Sequence, residues 1–272
     1  MRGVISAGMV SALEELGLTG AFDAVYGSSA GAINAAYFLA GQARLGTTIY
    51  YEDINNRRFI DLFRAIRGRP IVDLGFLLDD VMVRRKPLDV ARVLASPAPL
   101  TVLTTDVAGR RAIALKSFAD RDSLIASLRA SATMPVVAGP PVSVNGSRCL
   151  DASLTEPIPL PTAEADACTH ALVLLTRSGG MRAQASAFDR YFVAPRLRRL
   201  SPELAASYLA RAAPYAALVR SIDAGLGPAG RTQVVGLRVS DLEISKLERR
   251  THVLQDGARR GHDAVVRMFG GR

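Results

Sequence analysis

The stretch that most limits what this chain can become runs from Phe22 to Gly41. Asp23 to Tyr26 reads as a short strand, Gly27-Ser28-Ser29-Ala30-Gly31 as a turn, and Ala30 to Ala40 as an alanine-rich helix. The turn matches G-x-S-x-G, centred on Ser29. A reversal this sharp brings backbone segments too close for large side chains, so small residues are expected on both sides, at Gly27 and Gly31. It projects the central hydroxyl outward, at the positive end of the helix that follows. An ordinary serine in a tight turn fits the same five residues. The flanking strand and helix favour a nucleophile.

The rest of the chain reads as an α/β protein. Val4 to Leu16 has helical spacing, with Ile5, Met9, Leu13 and Leu16 on one face. Thr47 to Asn55 and Leu88 to Leu94 also read as helices. Leu74 to Val83 is an apolar segment ahead of a basic loop, Arg84-Arg85-Lys86-Pro87. Leu100 to Val107 is a buried strand, paired as a hairpin with Ala112 to Leu115 across Gly109-Arg110. Arg121 to Ser131 is a helix, broken by Ser131-Ala132-Thr133-Met134-Pro135. Val142 to Leu150 forms a strand pair around Asn145-Gly146 and delivers the chain to Asp151. Thr169 to Thr176 is an apolar strand of the kind buried in parallel sheets, ended by Gly179-Gly180. Phe188 to Ala224 is helical, Thr232 to Val239 is a last strand, and Ser240 to Met268 holds one or two charged helices. This order suits a sheet covered by helices on both faces. No internal repeat or interdomain linker is seen.

Composition narrows the function classes. At 272 residues the chain can bury one sizeable core. Cys149 and Cys168 have neither metal spacing nor a disulfide framework and read as reduced thiols. His170, His252 and His262 are scattered, so no metal site is expected. Net charge is +9, and Lys86, Lys116 and Lys246 are the only lysines among 34 basic residues. A GC-rich coding sequence gives that bias, and so does attraction to an anionic phospholipid surface. No nucleic-acid motif or basic stretch with interleaved aromatics points to nucleic acid. Arg57 to Arg69 interleaves arginines with Phe59, Ile60, Leu62, Phe63 and Ile66. A surface helix with its apolar face in the core is favoured over one that meets a membrane or a substrate tail. No secretory leader and no run of about 18 apolar residues is found, so the expected location is cytoplasmic, with peripheral membrane contact left open.

A serine hydroxyl needs a base to become a nucleophile. An α/β-hydrolase triad fits poorly: only 28 residues precede Ser29, too few for the strands and oxyanion loop of that fold, and no histidine stands in a motif. A Ser–Asp dyad is the other reading. Asp151 is the best-placed acid, at a strand end beside small Ala152 and Ser153 and before the punctuating prolines Pro157, Pro159 and Pro161. An Asx turn or a helix cap explains the same aspartate on position alone.

At these residues the chain resembles the patatin-like phospholipases. Met1-Arg2-Gly3-Val4 and Ala7-Gly8 are similar to the end of the family's glycine-rich G-G-G-x-R/K-G motif and the helix after it. Phe22 to Ala32 resembles the nucleophile turn. Ser131-Ala132-Thr133-Met134-Pro135 resembles the S/A-x-x-x-P stretch, and Leu150-Asp151-Ala152-Ser153 stands where the family has D-G-G or D-G-A. The resemblance spans about residues 1–161, taken as the catalytic core, with residues 162–272 as the remainder of the same domain. It implies a three-layer α/β/α fold with a mostly parallel central sheet. It also implies a Ser29–Asp151 dyad that hydrolyses acyl esters of lipids through an acyl-enzyme, without metal or organic cofactor. Arg2 and Gly3 would belong to the oxyanion motif, and Gly27 and Gly31 to the nucleophile turn.

Two departures accompany it. The three glycines of the oxyanion motif are absent, because the sequence starts at the motif's x position. On this reading an upstream segment supplies them together with a first strand, or the chain lacks much of its oxyanion hole. Ala152 replaces a glycine, and alanine tolerates positive φ poorly. These departures keep open a weakly active or inactive relative with a lipid- or partner-binding role, and, more remotely, an acyltransferase. Oligomeric state is not legible.

Overall fold

The computed structural model describes residues 1–178 and 185–271. In chain order its elements are α1 (Gly3–Glu15), β1 (Val25–Ser28), α2 (Ala30–Leu39), α3 (Ala43–Glu52), α4 (Phe63–Ile66), α5 (Val90–Leu94), β2 (Leu100–Asp106), β3 (Arg111–Leu115), α6 (Arg121–Ala132), β4 (Val142–Val144), β5 (Ser147–Asp151), α7 (Leu160–Ala165), β6 (His170–Leu175), α8 (Ala194–Leu200), α9 (Pro202–Ala210), α10 (Ala212–Asp223), β7 (Gln233–Arg238) and α11 (Thr251–Phe269). Two π-helical segments, Phe76–Arg85 and Asp189–Val193, are inserted between them.

Strand β2 organises the five-stranded sheet. Its β-branched residues are buried almost throughout, as the run of threonine, valine and leucine predicts. β1 lies parallel to it, from Val25 opposite Leu100 to Ser28 opposite Leu103. β3 pairs antiparallel over Val102 to Asp106, and β5 pairs antiparallel from Asp106–Cys149 to Thr104–Asp151. Because β3 occupies one edge of β2, β1 and β5 share the other. They run toward each other and meet end to end, with Ser28 opposite Leu103 and Asp151 opposite the next residue, Thr104. β4 and β5 form the expected hairpin, and its turn places Asn145 and Gly146 at positive φ (49° and 80°). β6 and β7 form a separate parallel pair. The parallel pairs are therefore β1–β2 and β6–β7, and the antiparallel ones involve β3, β4 and β5.

Alternation along the strands sorts the core into layers. On β6, Leu172 and Leu174 pack toward the main core beside α1 and α11, whereas Val173 and Leu175 join Leu160 of α7 and Tyr215, Val219 and Ile222 of α10. On β5, Cys149 faces the main core, and Leu150 faces a smaller cluster with Val193, Leu197, Leu204 and Tyr208. Helices thus cover both faces, and the fold is a three-layer α/β/α arrangement.

Several elements differ from what periodicity suggests. α1 is not amphipathic in context. Residues Val4 to Val10 are all buried, because α11 closes over the side a surface helix would leave open. The two helices touch through glycines: a Cβ on Gly8 would lie 2.0 Å from the Ala258 carbonyl oxygen, and one on Gly261 would lie 2.2 Å from that of Ile5. The charged C-terminal segment is a single helix, α11, and its small residues form the docking face. The third helix spans Ala43–Glu52, shifted toward the N-terminus from the expected 47–55. Arg84 and Arg85 end the π-helical segment instead of opening a loop. The helical run expected over 188–224 is split, and Ser201 breaks it by capping α9 through its bond from the Leu204 amide. Only Phe63–Ile66 of the 57–69 stretch is helical. Phe59 and Ile60 are buried but Leu62, Phe63 and Ile66 are not, so the expected inward apolar face does not form. Cys149 and Cys168 are both unpaired, and burial pushes the Cys149 thiol above its ordinary value. The pair Gly179-Gly180, expected to end β6, lies outside the described residues.

Candidate functional site

Ser29 stands at the junction of β1 and α2 with φ 54° and ψ −125°. A non-glycine residue there carries about 1–3 kcal/mol of backbone strain. The surroundings hold it by every polar backbone group. Its amide donates to Ser131 Oγ at 2.8 Å, and its carbonyl accepts from the Ala32 amide at 3.0 Å. Close approach explains Gly27: a Cβ there would come within 2.4 Å of the Ala32 Cα. Gly31 is different, because a Cβ on it would meet nothing within 4 Å. The steric requirement expected on both sides of the serine therefore applies to Gly27 alone. Ser29, Ala30 and Gly31 are all half-buried, which leaves the turn open to a reacting molecule.

Asp151 ends β5 and is buried, with 5% of its surface exposed. The register brings it to Ser29: Ser29 Oγ donates to Asp151 Oδ2 at 2.9 Å. The rest of the aspartate is equally committed. Its amide donates to the Thr133 carbonyl (2.8 Å), its carbonyl accepts from Thr105 Oγ1 (2.9 Å), and Oδ1 accepts from the Ser153 amide (2.8 Å). The last bond caps the short 3-10 turn Ala152–Leu154. Ala152 does not adopt positive φ, so alanine is no obstacle at this position. The cap and the link to Ser29 coexist on the two oxygens of one carboxylate.

Arg2 and Gly3 form the start of α1, and this start lies against the turn. A Cβ on Gly3 would meet the Ala30 Cβ at 2.7 Å and the Tyr50 hydroxyl at 2.5 Å. Asn34 of α2 fastens the contact, donating to the Gly3 carbonyl (2.9 Å) and to Ser6 Oγ (3.0 Å) while accepting from the Tyr50 hydroxyl (3.0 Å). The N-termini of α1 and α2, both with first-turn amides unmatched by intrahelical acceptors, therefore meet beside Ser29. Burial, and then the nearby Arg177 guanidinium, pulls Arg2 down to about 10.

Ser131 and Thr133 are the residues that motif reasoning left without a role. The break after α6 was visible as Ser131-Ala132-Thr133-Met134-Pro135, but its hydrogen bonds are tertiary. One segment grips the Ser29 amide through Ser131 and the Asp151 amide through Thr133. Among the described residues, no group of three or more His, Cys, Asp or Glu side chains is arranged to hold a metal ion. His170 is exposed at the start of β6, His252 is exposed on α11, and His262 sits beside Glu15 at 2.9 Å. None of the three is among the hydrogen-bond partners of Ser29 or Asp151.

Comparison with known proteins adds one positive finding. The family model for patatin-like phospholipase matches residues 1–164, more than half of the chain. No curated protein sequence matches it.

Proposed function

We propose, from the premise that this chain belongs to the patatin-like phospholipase family, that it hydrolyses lipid acyl esters with Ser29 as nucleophile and Asp151 as base. The family is one of lipid acyl hydrolases, and the finer assignment is supported by one observation above all: the 2.9 Å bond from Ser29 Oγ to Asp151 Oδ2. Ser29 Oγ attacks the ester carbonyl carbon while its proton passes to Asp151 Oδ2. The tetrahedral intermediate collapses, the leaving alcohol takes that proton, and an acyl-Ser29 ester remains. Water then attacks the acyl carbon, Asp151 takes a proton from it, and the fatty acid leaves as Ser29 recovers its hydrogen. Developing negative charge on the carbonyl oxygen is met by the amides at the meeting point of α1 and α2, those of Arg2, Gly3 and Ala30. The chemistry needs no metal or organic cofactor. Among the described residues, no helix is long and apolar enough to cross a membrane, and the net charge of +9 favours substrates presented at an anionic surface.

The test is covalent labelling with a fluorophosphonate probe alongside hydrolysis of soluble short-chain and of phospholipid esters. We expect one adduct, on Ser29, and hydrolysis that Ser29→Ala abolishes and Asp151→Asn lowers by at least about a hundredfold. Hydrolysis that survives Ser29→Ala at the parent rate would overturn the assignment. A second reading, a weakly active lipid-binding relative, draws on the Ser29 amide being already bonded to Ser131, which removes it as an oxyanion donor. An intact, folded chain without any Ser29 adduct supports that reading.

A further inference from the structure

We propose that two apolar tips, Leu62-Phe63-Ile66 and Phe188-Tyr191-Phe192, form a docking face for an anionic phospholipid bilayer, an inference that rests on the lipid-hydrolase reading of Ser29 and Asp151. The first tip is built to stay exposed. Phe59 and Ile60 are buried and anchor the segment, Ile60 bridges to Val72, and the Asp61 amide donates to the Ile71 carbonyl. Between these anchors and Gly68, at φ 68°, the chain makes a single helical turn. Asp61 Oδ1 accepts from the Phe63 amide (3.0 Å) at its entry, and Arg64 braces it by donating to the Arg58 carbonyl (2.6 Å). The result is an ordered loop that holds Leu62 at 59%, Phe63 at 62% and Ile66 at 82% exposure. Apolar groups so presented stay in water only until something covers them.

Charge selects what covers them. The thirteen residues from 57 to 69 contain five arginines and a single acid, Asp61. Arg58 and Arg64 have acidic neighbours in Asp80 and Asp73, but Arg57, Arg67 and Arg69 are exposed and have no ion-pair partner among the described residues. An apolar tip ringed by unneutralised arginines repels a second copy of itself. It matches a surface with an apolar interior and an anionic rim.

The second tip has the same design. Phe188 and Phe192 stack at 5.4 Å between ring centroids, and Tyr191 is 74% exposed. Asp189 ties their turn to the protein through Tyr208 and Arg211, and Val193 buries its inner side. Arg190, Arg196, Arg198 and Arg199 are exposed around it. Both tips are joined to one segment. The Val72 amide donates to the Val137 carbonyl at 2.7 Å, and Val137 and Met134 pack into the cluster that holds Val193 and Leu197. That segment continues from Ser131 and Thr133, which hold Ser29 and Asp151. Both tips are therefore tied to the segment that holds the reactive pair, a link through which a bilayer-bound chain would present an ester to Ser29.

Flotation tests this with the intact Ser29→Ala chain and phosphatidylcholine vesicles, with and without phosphatidylglycerol. We expect flotation only with phosphatidylglycerol, weakened by added salt. We expect at least a tenfold loss of binding in Phe63→Ser/Ile66→Ser, in Tyr191→Ser/Phe192→Ser, and in Arg57→Gln/Arg67→Gln/Arg69→Gln. In the Ser29 background the same variants should keep the parent's melting temperature and its hydrolysis of a soluble ester. The inference is overturned if the chain ignores phosphatidylglycerol vesicles, or if variants of either tip bind like the parent. It is also overturned if the exposed tips prove to close a dimer that these substitutions dissolve. Binding without ester hydrolysis would sink the hydrolase reading and leave the docking face standing.

Discussion

Ser29 has its amide and carbonyl both bonded, so its hydroxyl is the one polar group left to react. If Ser29 is the nucleophile, as proposed, that makes Ser131 a positioning residue. Ser131→Ala removes the acceptor of a strained residue's amide and should cost about 1–3 kcal/mol of stability. It should also lower kcat by about tenfold or more with little change in KM, because the hydroxyl loses its fixed aim. Thermal melts and steady-state kinetics on a soluble ester check both. The two glycines of the turn should part company. Gly27→Ala drives a Cβ into the α2 backbone and should destabilise by about 1–3 kcal/mol. Gly31→Ala, in the first turn of a helix with open space around it, should be neutral or stabilise by up to about 1 kcal/mol. Denaturant titration of the pair separates them. The sequence motif treats these glycines as equivalent, since spacing carries no record of which one faces backbone. Ser29 and Asp151 were legible as a turn serine and a strand-end acid. Ser131 was visible only as a place where a helix stops.

At the level of elements, short-range signals did well wherever the answer is local. The hairpin at Asn145-Gly146, the buried strand after Pro99 and the helix from Arg121 follow from turn chemistry and β-branched runs. They did poorly where a neighbour decides. α1 carries a helical pattern with a polar side, but α11 covers that side, and the covering helix lies more than 200 residues away. The exposed tip at α4 failed in the opposite sense: apolar spacing suggested a buried face, and the short turn left it outside. Glycine contacts between α1 and α11 give a direct test. Gly261→Val places side-chain carbon against the Ile5 carbonyl and should destabilise by about 3 kcal/mol, whereas the same change at Gly271, with nothing within 4 Å, should be silent. Differential scanning calorimetry would read the difference.

For the whole molecule, acid should act in part through Asp189. Burial opposes its charge, but hydrogen bonds from Tyr208, Arg211 and Ser186 outweigh that and hold its carboxyl down to about 2. An unfolded aspartate titrates near 3.9. A folded value below the unfolded one gives stability that is complete above about pH 4 and disappears as pH falls toward 2. Asp189→Asn should therefore melt below the parent at neutral pH, with the gap closing as pH falls through that window, and melting curves from pH 7 to 2 would show it. Register gives the molecule its other global property. β1 and β5 are not bonded to each other; they come together only because β2 carries both on one edge. The proposed nucleophile and base are 122 positions apart. During synthesis the serine emerges first, with no carboxylate to take its proton, and it remains so until β2 and β5 have been made and paired. On the proposed roles, a growing or half-folded chain is thereby chemically mute, and strand order sets the moment at which hydrolysis can begin.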